Sequence, residues 1–412
     1  MSATLSTRSG AALYIGAVLG PGVLLIPSLA AEVAGPASVV AWGALLVLSA
    51  PLAAVFAALG VAYPEAGGTA AYARAAFGRS AGAVTGWWFL GGVLLGAPAV
   101  ALIGGFYVAD LLEVGRGPAL AVAALMVAGV LTANATGLRT TARLQLGLAA
   151  ILATLVLVAV VTALPESRAA HWEPFTPHGW TGVGTAASLL MFSFIGWEVG
   201  SHLAGEFRDP ARQLPRALLA ALAIVVVLYL GLAVVTVGVL GTGEPSDVPL
   251  ADLMAAGLGA PGRTVTAVLA VLLTMGTMNA YVAGATRLAG ALAGDGIAPA
   301  RLSRPRFGLA LLGVVTAAEL ALFATDVLDV EALVRAASAS FVAVYAPATA
   351  AGFRLLRGGV RWAAGASLAA MLVILAFSGP FLLVPAAIAA IAFGLTRPRE
   401  RRRALACAPS RA

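Results

Sequence analysis

The residues best placed to do chemistry lie at two points where long apolar segments of the chain are interrupted. A continuous helix satisfies its own backbone hydrogen bonds, whereas glycine is flexible and proline lacks an N–H group and clashes with the preceding turn. Unwound backbone at membrane depth is tolerated where it lines a protein cavity, and its free N–H and C=O groups can there bind a polar solute. The two interruptions are Gly20-Pro21-Gly22 and Phe194-Ile195-Gly196-Trp197-Glu198.

Glu198 begins a row of titratable side chains that leads away from the second interruption. Glu198, His202 and Glu206 follow one another at intervals of four residues, which places them on one face of a helix. A carboxylate inside an apolar segment costs about 2.5–3.5 kcal/mol on insertion scales and is functional by default. Because histidine titrates near neutrality, the row predicts a proton relay. The alternative is that Glu198 stays protonated and hydrogen-bonds loose backbone, while His202 only packs.

Enzyme chemistry has no recognisable basis in the sequence. The histidines are His171, His178 and His202, and a single cysteine, Cys407, allows no internal disulfide. We find no Ser/His/Asp arrangement, no Cys/His cluster and no phosphate-binding loop. The sequence therefore predicts a protein that is not an enzyme and that needs no cofactor or metal.

The composition places the chain in a membrane. Of its 412 residues, 61% are hydrophobic and 10% are charged, whereas a soluble domain has about 25% charged residues. With about 20 apolar residues for each crossing, the sequence predicts an all-α integral membrane protein. Its twelve predicted transmembrane helices lie near 10–33, 38–62, 82–111, 118–136, 142–164, 183–204, 216–240, 262–291, 308–325, 331–355, 362–378 and 380–396.

The distribution of arginine predicts the orientation. All 25 basic residues are arginine, and 21 of them lie on cytoplasmic segments if the amino terminus is cytoplasmic. That asymmetry follows the positive-inside rule and predicts a bacterial-type cytoplasmic membrane with both termini inside. It also explains the net charge of +7, so we expect the basic tail to contact anionic lipid and no nucleic acid. A cleavable signal peptide is the alternative for the first segment, but its loss would leave an odd number of crossings.

The centres of the apolar segments repeat along the chain. Segments one to three recur as six to eight at an offset of about 175–180 residues, and segments four and five recur as nine and ten at about 190. Because five is an odd number, the second set crosses the membrane in the opposite sense, which is an inverted repeat. Chance similarity is the alternative, but the first member of each set is broken. The predicted parts are a cytoplasmic amino terminus (1–9), a core (10–355) with repeats 10–164 and 183–355, two peripheral helices (362–396) and a tail (397–412).

Two further segments are too short or too polar to span. Residues 63–79 are rich in turn formers and predict a cytoplasmic loop, and residues 249–258 predict a short amphipathic helix on the outer surface.

The motifs at the interruptions resemble those of the amino acid–polyamine–organocation superfamily. Its sixth segment has a Phe-x-Gly-x-Glu break followed by Glu-x-x-x-Pro-x-Arg-x-x-Pro-Arg-Ala, which matches 194–198 and 206–217. Its first segment has Gly-x-Gly-Ile-hydrophobic-x-x-Pro, which resembles 20–27, and its loop after segment two resembles 63–68. The resemblance covers about 10–355 and implies a LeuT-like five-plus-five inverted repeat with helices 1 and 6 broken and two extra carboxyl-terminal helices.

Within that superfamily the chain is most similar to bacterial exporters of methionine and branched-chain amino acids. The similarity rests on Thr85-Gly86-Trp87, on Gly96-Ala97-Pro98 and on the stretch 200–207. The chain departs from its relatives at Pro21, where they usually have Ser, Thr or Ala. Proline removes one backbone donor, so that carboxylate binding would depend on neighbouring amides.

The predicted site follows from the two charges of an α-amino acid. The helix that begins after Gly22 directs free amides and the positive end of its dipole at the cavity, which suits a carboxylate. Unwound carbonyl groups around Phe194, Ile195 and Gly196 suit the ammonium group, and Phe194 and Trp197 are expected to form apolar walls. The alternative is that the glycines only allow close packing of helices.

Ion coupling has several candidates in the sequence. There is no lysine to replace a sodium ion, as some relatives are thought to do, and a sodium site would use hydroxyl groups near Thr274 and Thr277. Asn279 and Tyr281 are weaker candidates for the cavity, and Glu319 has no assigned role.

The combined prediction is a secondary active transporter of amino acids in the cytoplasmic membrane. We expect an exporter of neutral, hydrophobic amino acids that is coupled to protons, and the sequence leaves its oligomeric state open. An importer or exchanger of cationic amino acids or polyamines is one alternative. A channel or a membrane-bound amino-acid sensor is another.

Overall fold

The computed structural model describes residues 6–63, 68–137, 142–199, 207 and 209–406, and helices dominate them. The α-helices are α1 (Thr7–Val18), α2 (Ile26–Ala34), α3 (Ser38–Ala62), α4 (Gly68–Phe77), α5 (Arg79–Leu111), α6 (Arg116–Ala135), α7 (Ala142–Ala163), α8 (Gly179–Leu190), α9 (Pro210–Val235), α10 (Pro249–Leu258), α11 (Ala260–Gly294), α12 (Pro305–Ala324), α13 (Val330–Leu355), α14 (Gly359–Ala376) and α15 (Leu383–Ala406).

The helices fall where the apolar segments predict them. Within the described residues, nine helices are long and apolar enough to cross a membrane. The predicted first and sixth segments each fall on short pieces instead, with α1 and α2 in one and α8 followed by 3₁₀ turns in the other. The predicted twelfth segment falls on a shorter apolar stretch, Gly379–Gly394, and is not among the nine. The expectation of an all-helical membrane protein is confirmed in this coarse form.

The segment between α3 and α5 differs from its prediction. We expected a loop over 63–79, but Gly68–Phe77 forms α4, and Ala71, Tyr72 and Ala76 are buried in the bundle. The helix contains five alanines, and alanine has the highest helix propensity. Burial of its apolar face stabilises it further. The turn-forming residues before it led to the prediction of a loop. The short helix predicted over 249–258 is confirmed as α10, with Leu250, Leu253 and Met254 buried.

The two broken segments lie in the middle of the bundle. The amino-terminal half of the first, α1, packs against α9 and α7, and the other half, α2, packs against α8. The long helices α5 and α13 are the most buried of the spanning helices and pack against each other. The turn of the first break packs against α5, and the turn of the second packs against α13.

Candidate functional site

The first break separates α1 from α2 with a stretch of irregular backbone. Gly20 is extended, with φ −102° and ψ 176°, and a 3₁₀ turn over Pro21–Leu24 follows before α2 begins at Ile26. The first N–H groups of a helical segment have no partner within it. Because Pro21 has no N–H group, Gly22 supplies the first amide of the turn.

The second break bends the chain at Gly196. A 3₁₀ turn over Met191–Phe194 ends in an extended Ile195, and Gly196 has a φ of +131°. A Cβ atom at Gly196 would lie 2.4 Å from the carbonyl oxygen of Ala17 in α1. Both the backbone conformation and the space therefore require glycine here, and the backbones of the two breaks meet at this point.

Three buried tyrosines bind the loose backbone of the breaks, two by donating to carbonyl oxygens and the third, Tyr345, by accepting from the Gly196 N–H group over 3.1 Å. The Tyr107 hydroxyl donates to the Leu24 carbonyl over 2.7 Å. The Tyr229 hydroxyl lies 2.8 Å from the carbonyl oxygens of both Val18 and Ser193, and thus contacts both breaks. Buried backbone acceptors need such partners because an unmade hydrogen bond is costly in an apolar interior.

Glu198 caps the second break from within. The Gly196 N–H group donates to Glu198 Oε2 over 2.9 Å, and the Tyr345 hydroxyl donates to the same oxygen. The Tyr345 ring is fully buried against Phe56, with 5.0 Å between the ring centroids. The Glu198 side chain itself is half-buried, so one carboxylate both stabilises the break and faces the cavity described next.

A cavity of about 380 Å³ lies between the two breaks. This volume lies in the range of about 300–1,000 Å³ that is usual for small-molecule sites. Its apolar lining includes Phe89, Phe192 and Phe341, and its polar side chains are Gln145, Glu198, Thr277 and Tyr281. A small solute with one apolar part and a few polar groups fits such a lining.

The structure brings six of the predicted site residues to this cavity. They are Gly20, Pro21, Gly22, Ile195, Gly196 and Glu198. The predicted relay residues His202 and Glu206 lie outside the described residues.

Phe194 and Trp197 do not line the cavity, contrary to the expectation that they form its walls. The Phe194 ring packs against Trp42 at 5.6 Å and against Tyr229 at 5.2 Å between centroids. Trp197 is fully buried beside Tyr14. In extended backbone, successive side chains point to opposite sides, which is why Ile195 faces the cavity while Phe194 before it does not. Trp197 follows the bend at Gly196, where the alternation is interrupted.

The weaker candidates in α11 separate into two groups. Thr277 and Tyr281 line the cavity. Asn279 instead accepts a hydrogen bond of 2.6 Å from Asn134 in α6, and the buried Thr274 hydroxyl donates to the Ala270 carbonyl of its own helix. The aromatic wall of Phe89, Phe192 and Phe341 was missed, because phenylalanine in an apolar segment gives no local signal. Phe192 alone had such a signal, since it lies two residues before the second break.

The cavity and a charged network occupy different levels of the bundle. The lining residues of α11 run from Leu273 to Ala285. Arg263 lies ten residues before them, about 15 Å along the helix, and donates to Asp110 of α5 over 2.8 Å and to Asp252 of α10 over 2.9 Å. Asp252 also accepts from Ser246, whose N–H group donates to Ser28 of α2. These contacts link α2, α5, α10 and α11 to one another near the amino-terminal end of α11, away from the cavity.

Comparison with solved structures supports the fold. A crystal structure of a mutant manganese transporter of Eremococcus coleocola superposes with a TM-score of 0.58, covering 95% of this chain and 92% of that one. The sequence identity is 12%, so the likeness concerns the fold alone.

Comparison of sequences identifies the family. The amino acid permease family model matches residues 5–401. The chain is 36% identical over 394 residues to YecA, an uncharacterised amino acid permease of Bacillus subtilis, with 93% of each chain covered. It is 32% identical to YjeH, an L-methionine/branched-chain amino acid exporter of Escherichia coli, with 87% of each covered. The match across nearly the whole length shows that this chain belongs to the amino acid permease family.

Proposed function

We propose that the protein is a secondary active transporter of neutral amino acids with apolar side chains. The observation that carries the proposal is the cavity in which backbone of two broken helices meets an aromatic wall. The proposal includes twelve crossings arranged as a five-plus-five inverted repeat, which the paired breaks and the superposition on a transporter fold support.

The carboxylate of the substrate would bind at the first break. The Gly22 amide opens the 3₁₀ turn over Pro21–Leu24, and α2 continues from it. Free amides and the positive end of a helical segment attract an anion. This binding uses backbone groups, so no cationic side chain has to be buried.

The ammonium group would bind at the second break. Ile195 and Gly196 line the cavity there, as does Glu198. Carbonyl oxygens and a carboxylate are suitable acceptors for three N–H donors. The two breaks would thus bind the two charged groups of one amino acid.

The aromatic wall favours an uncharged side chain. Phe192, Phe341 and Val93 of α5 all line the cavity and are otherwise almost fully buried. Burying apolar surface there contributes about 25 cal/mol per Å². Two relatives agree with this class by name, the exporter of Escherichia coli described above and the branched-chain amino acid permease BcaP of Bacillus subtilis, 27% identical over 319 residues.

Export across the cytoplasmic membrane is the preferred direction. The asymmetry of arginine supports cytoplasmic termini. On that orientation the amino-terminal half of α7 and the carboxyl-terminal half of α11, which line the cavity, lie toward the cytoplasm. The cavity would then load from the inside, while the network at Arg263 holds the outer side together.

Proton exchange is the proposed source of energy. Glu198 is a titratable group in the cavity lining and binds directly to the second break. With His202 and Glu206 it would form the relay that the sequence predicts. Protonation of Glu198 would weaken its hold on the Gly196 amide and so favour movement of the break.

A cationic substrate is the second candidate, because the one acid among the described lining residues is Glu198. Its Oε2 atom, however, already accepts hydrogen bonds from Gly196 and Tyr345. Because Glu198 also binds the ammonium group in this proposal, a second positive charge on the substrate side chain would have no acid of its own among the described lining residues.

Counterflow of radiolabelled leucine and methionine in proteoliposomes tests the proposal, with arginine and putrescine as competitors, at two pH values and without sodium. We expect saturable exchange of leucine and methionine that the cationic competitors do not inhibit. Exchange of arginine or putrescine alone would make the cationic alternative correct. Binding without flux would favour a sensor, and currents far above carrier turnover would favour a channel.

A further inference from the structure

Ser193 carries a buried hydroxyl group that forms no hydrogen bond with any described residue. The side chain is 2% exposed and lies in the 3₁₀ turn that leads into the second break. An unpaired polar group in an apolar interior costs about 1–3 kcal/mol. Most buried polar side chains in proteins have a partner, and each exception calls for an explanation.

Several other buried serines of this bundle have partners, whereas Ser367 in α14, like Ser193, has none among the described residues. Ser188, in α8 just before the same turn, pairs with Ser378 over 2.8 Å. Ser49 and Ser340 each donate to the carbonyl four residues earlier in their helices. Ser193 does not use that option, and its own carbonyl oxygen is bound by Tyr229. An unpaired hydroxyl is therefore not the general state of serine in this interior.

The Ser193 hydroxyl faces the first break. Its oxygen lies 2.6 Å from the position that a Cβ atom on Gly22 would occupy. Gly22 is also the residue whose amide opens the 3₁₀ turn, and it lines the cavity. Because Gly22 has no side chain, the Ser193 hydroxyl lies directly against the Gly22 backbone.

The first break has one donor fewer than its geometry would allow. The turn begins with Pro21, which has no N–H group. An anion bound at the start of this turn therefore lacks the amide that any other residue at position 21 would provide. A hydroxyl group beside Gly22 can supply the missing hydrogen bond.

We propose that the Ser193 hydroxyl is a second donor to the substrate carboxylate and acts together with the Gly22 amide. This inference rests on the proposed function and deepens it by naming a side chain that binds the carboxylate. Ser193 is not itself among the residues that line the cavity, but its hydroxyl lies beside Gly22, which is. Rotation about the Cα–Cβ bond would direct the hydroxyl past Gly22 to the carboxylate, so that the two donors come from different breaks. The carboxylate thus joins the two broken segments, which couples binding of the substrate to their relative position.

The test compares leucine with isopentylamine, which is leucine without its carboxylate. Binding of both ligands to the purified full chain is measured by competition against radiolabelled leucine. Hydrogen bonds to charged groups contribute about 1.5–3 kcal/mol, which corresponds to roughly 10-fold or more in Kd. We expect Ser193→Ala to weaken leucine binding by about this factor and to leave isopentylamine binding within about two-fold, because only leucine carries the carboxylate.

Two further variants keep the result interpretable. Ser188→Ala removes a buried serine hydroxyl that pairs with Ser378, and we expect it to leave both affinities unchanged. Ser193→Cys keeps the shape with a weak donor and should give an intermediate loss for leucine. The inference is overturned if Ser193→Ala binds leucine as the parent does, or if it weakens both ligands equally. If the parent chain binds no leucine at all, the proposed function fails first and the inference fails with it.

Discussion

The two breaks of this transporter interrupt their helices by different means. The first break depends on the chemistry of proline, since Pro21 has no N–H group to donate a hydrogen bond. The backbone angles of Gly20 in this break are ones that any residue can adopt. The second break depends on backbone conformation, since Gly196 has a φ of +131° and its missing Cβ leaves room for the backbone of α1. The first break is thus tolerant of side chains at one of its glycines, whereas the second is not.

The two breaks also differ in what they offer a ligand. At the first, the tyrosine hydroxyl groups occupy carbonyl oxygens, those of Leu24 and Val18, which leaves amides for an anion. At the second, Tyr229 also occupies one carbonyl oxygen, that of Ser193, but the amide of Gly196 is occupied as well, by Glu198 and Tyr345. Acceptors therefore remain for a cation. This division of donors and acceptors agrees with a solute that has one charge of each sign.

The largest difference between the breaks is expected from placing alanine at each. Gly196→Ala puts a Cβ 2.4 Å from the Ala17 carbonyl oxygen, on backbone angles that L-residues rarely adopt, so leucine counterflow should be abolished. Gly20→Ala is the matched control, because the nearest atom to its Cβ is 4.0 Å away, and it should keep most of the parent rate. The measurement is the initial rate in proteoliposomes, normalised to the amount of protein in the membrane. Equal rates in the two variants would refute the asymmetry.

The next effect concerns pH and belongs to the second break alone. Glu198→Gln keeps an oxygen that can accept from the Gly196 N–H group but cannot bind a transported proton, so the break stays capped while the relay is lost. We expect leucine flux in this variant to be independent of pH on both sides of neutrality, whereas parent flux varies with it. Glu319→Gln provides the control, because this acid is buried in α12 and does not line the cavity. A pH profile that Glu198→Gln leaves intact, or that Glu319→Gln removes, would rule out the relay at Glu198.

The positions of the helices and of both breaks could be predicted from local sequence. Apolar runs of about 20 residues predict crossings with little ambiguity, and Gly20-Pro21-Gly22 cannot continue a helix. The helix over Gly68–Phe77 was the main error, since its stability depends on burial against α5 and α13 that the turn formers before it do not reveal. Local patterns therefore predicted the fold well wherever the structure depends on the membrane and less well where it depends on tertiary packing.

The interior of the site was predictable only in part. Backbone groups at the breaks follow from glycine and proline, but Phe194 and Trp197 turned away from the cavity because helical periodicity is lost in the break. The three tyrosines could not be inferred, since Tyr107, Tyr229 and Tyr345 bind residues that are 36 to 211 positions away in the chain. Nothing in a local pattern identifies such a partner.

The smallest of the expected effects distinguishes the hydroxyl that contacts both breaks from the one that contacts a single break. Tyr229→Phe keeps the ring contacts with Trp42 and Phe194 but leaves the Val18 and Ser193 carbonyl oxygens without this donor. The Val18 oxygen keeps a hydrogen bond from the Gly20 N–H group, whereas the Ser193 oxygen loses this donor. An unpaired buried acceptor costs about 1–3 kcal/mol, and a transport barrier raised by a cost of this size lowers the rate of leucine counterflow roughly ten-fold. Tyr107→Phe removes one contact, at Leu24 in the first break, and should reduce the rate less. A hydroxyl has a single hydrogen, so Tyr229 can donate to one carbonyl at a time, and movement of the breaks past each other would transfer that bond between them. If Tyr107→Phe reduced the rate more than Tyr229→Phe, transport would depend more on the hydrogen bond at Leu24 within the first break than on the Tyr229 contact between the two breaks.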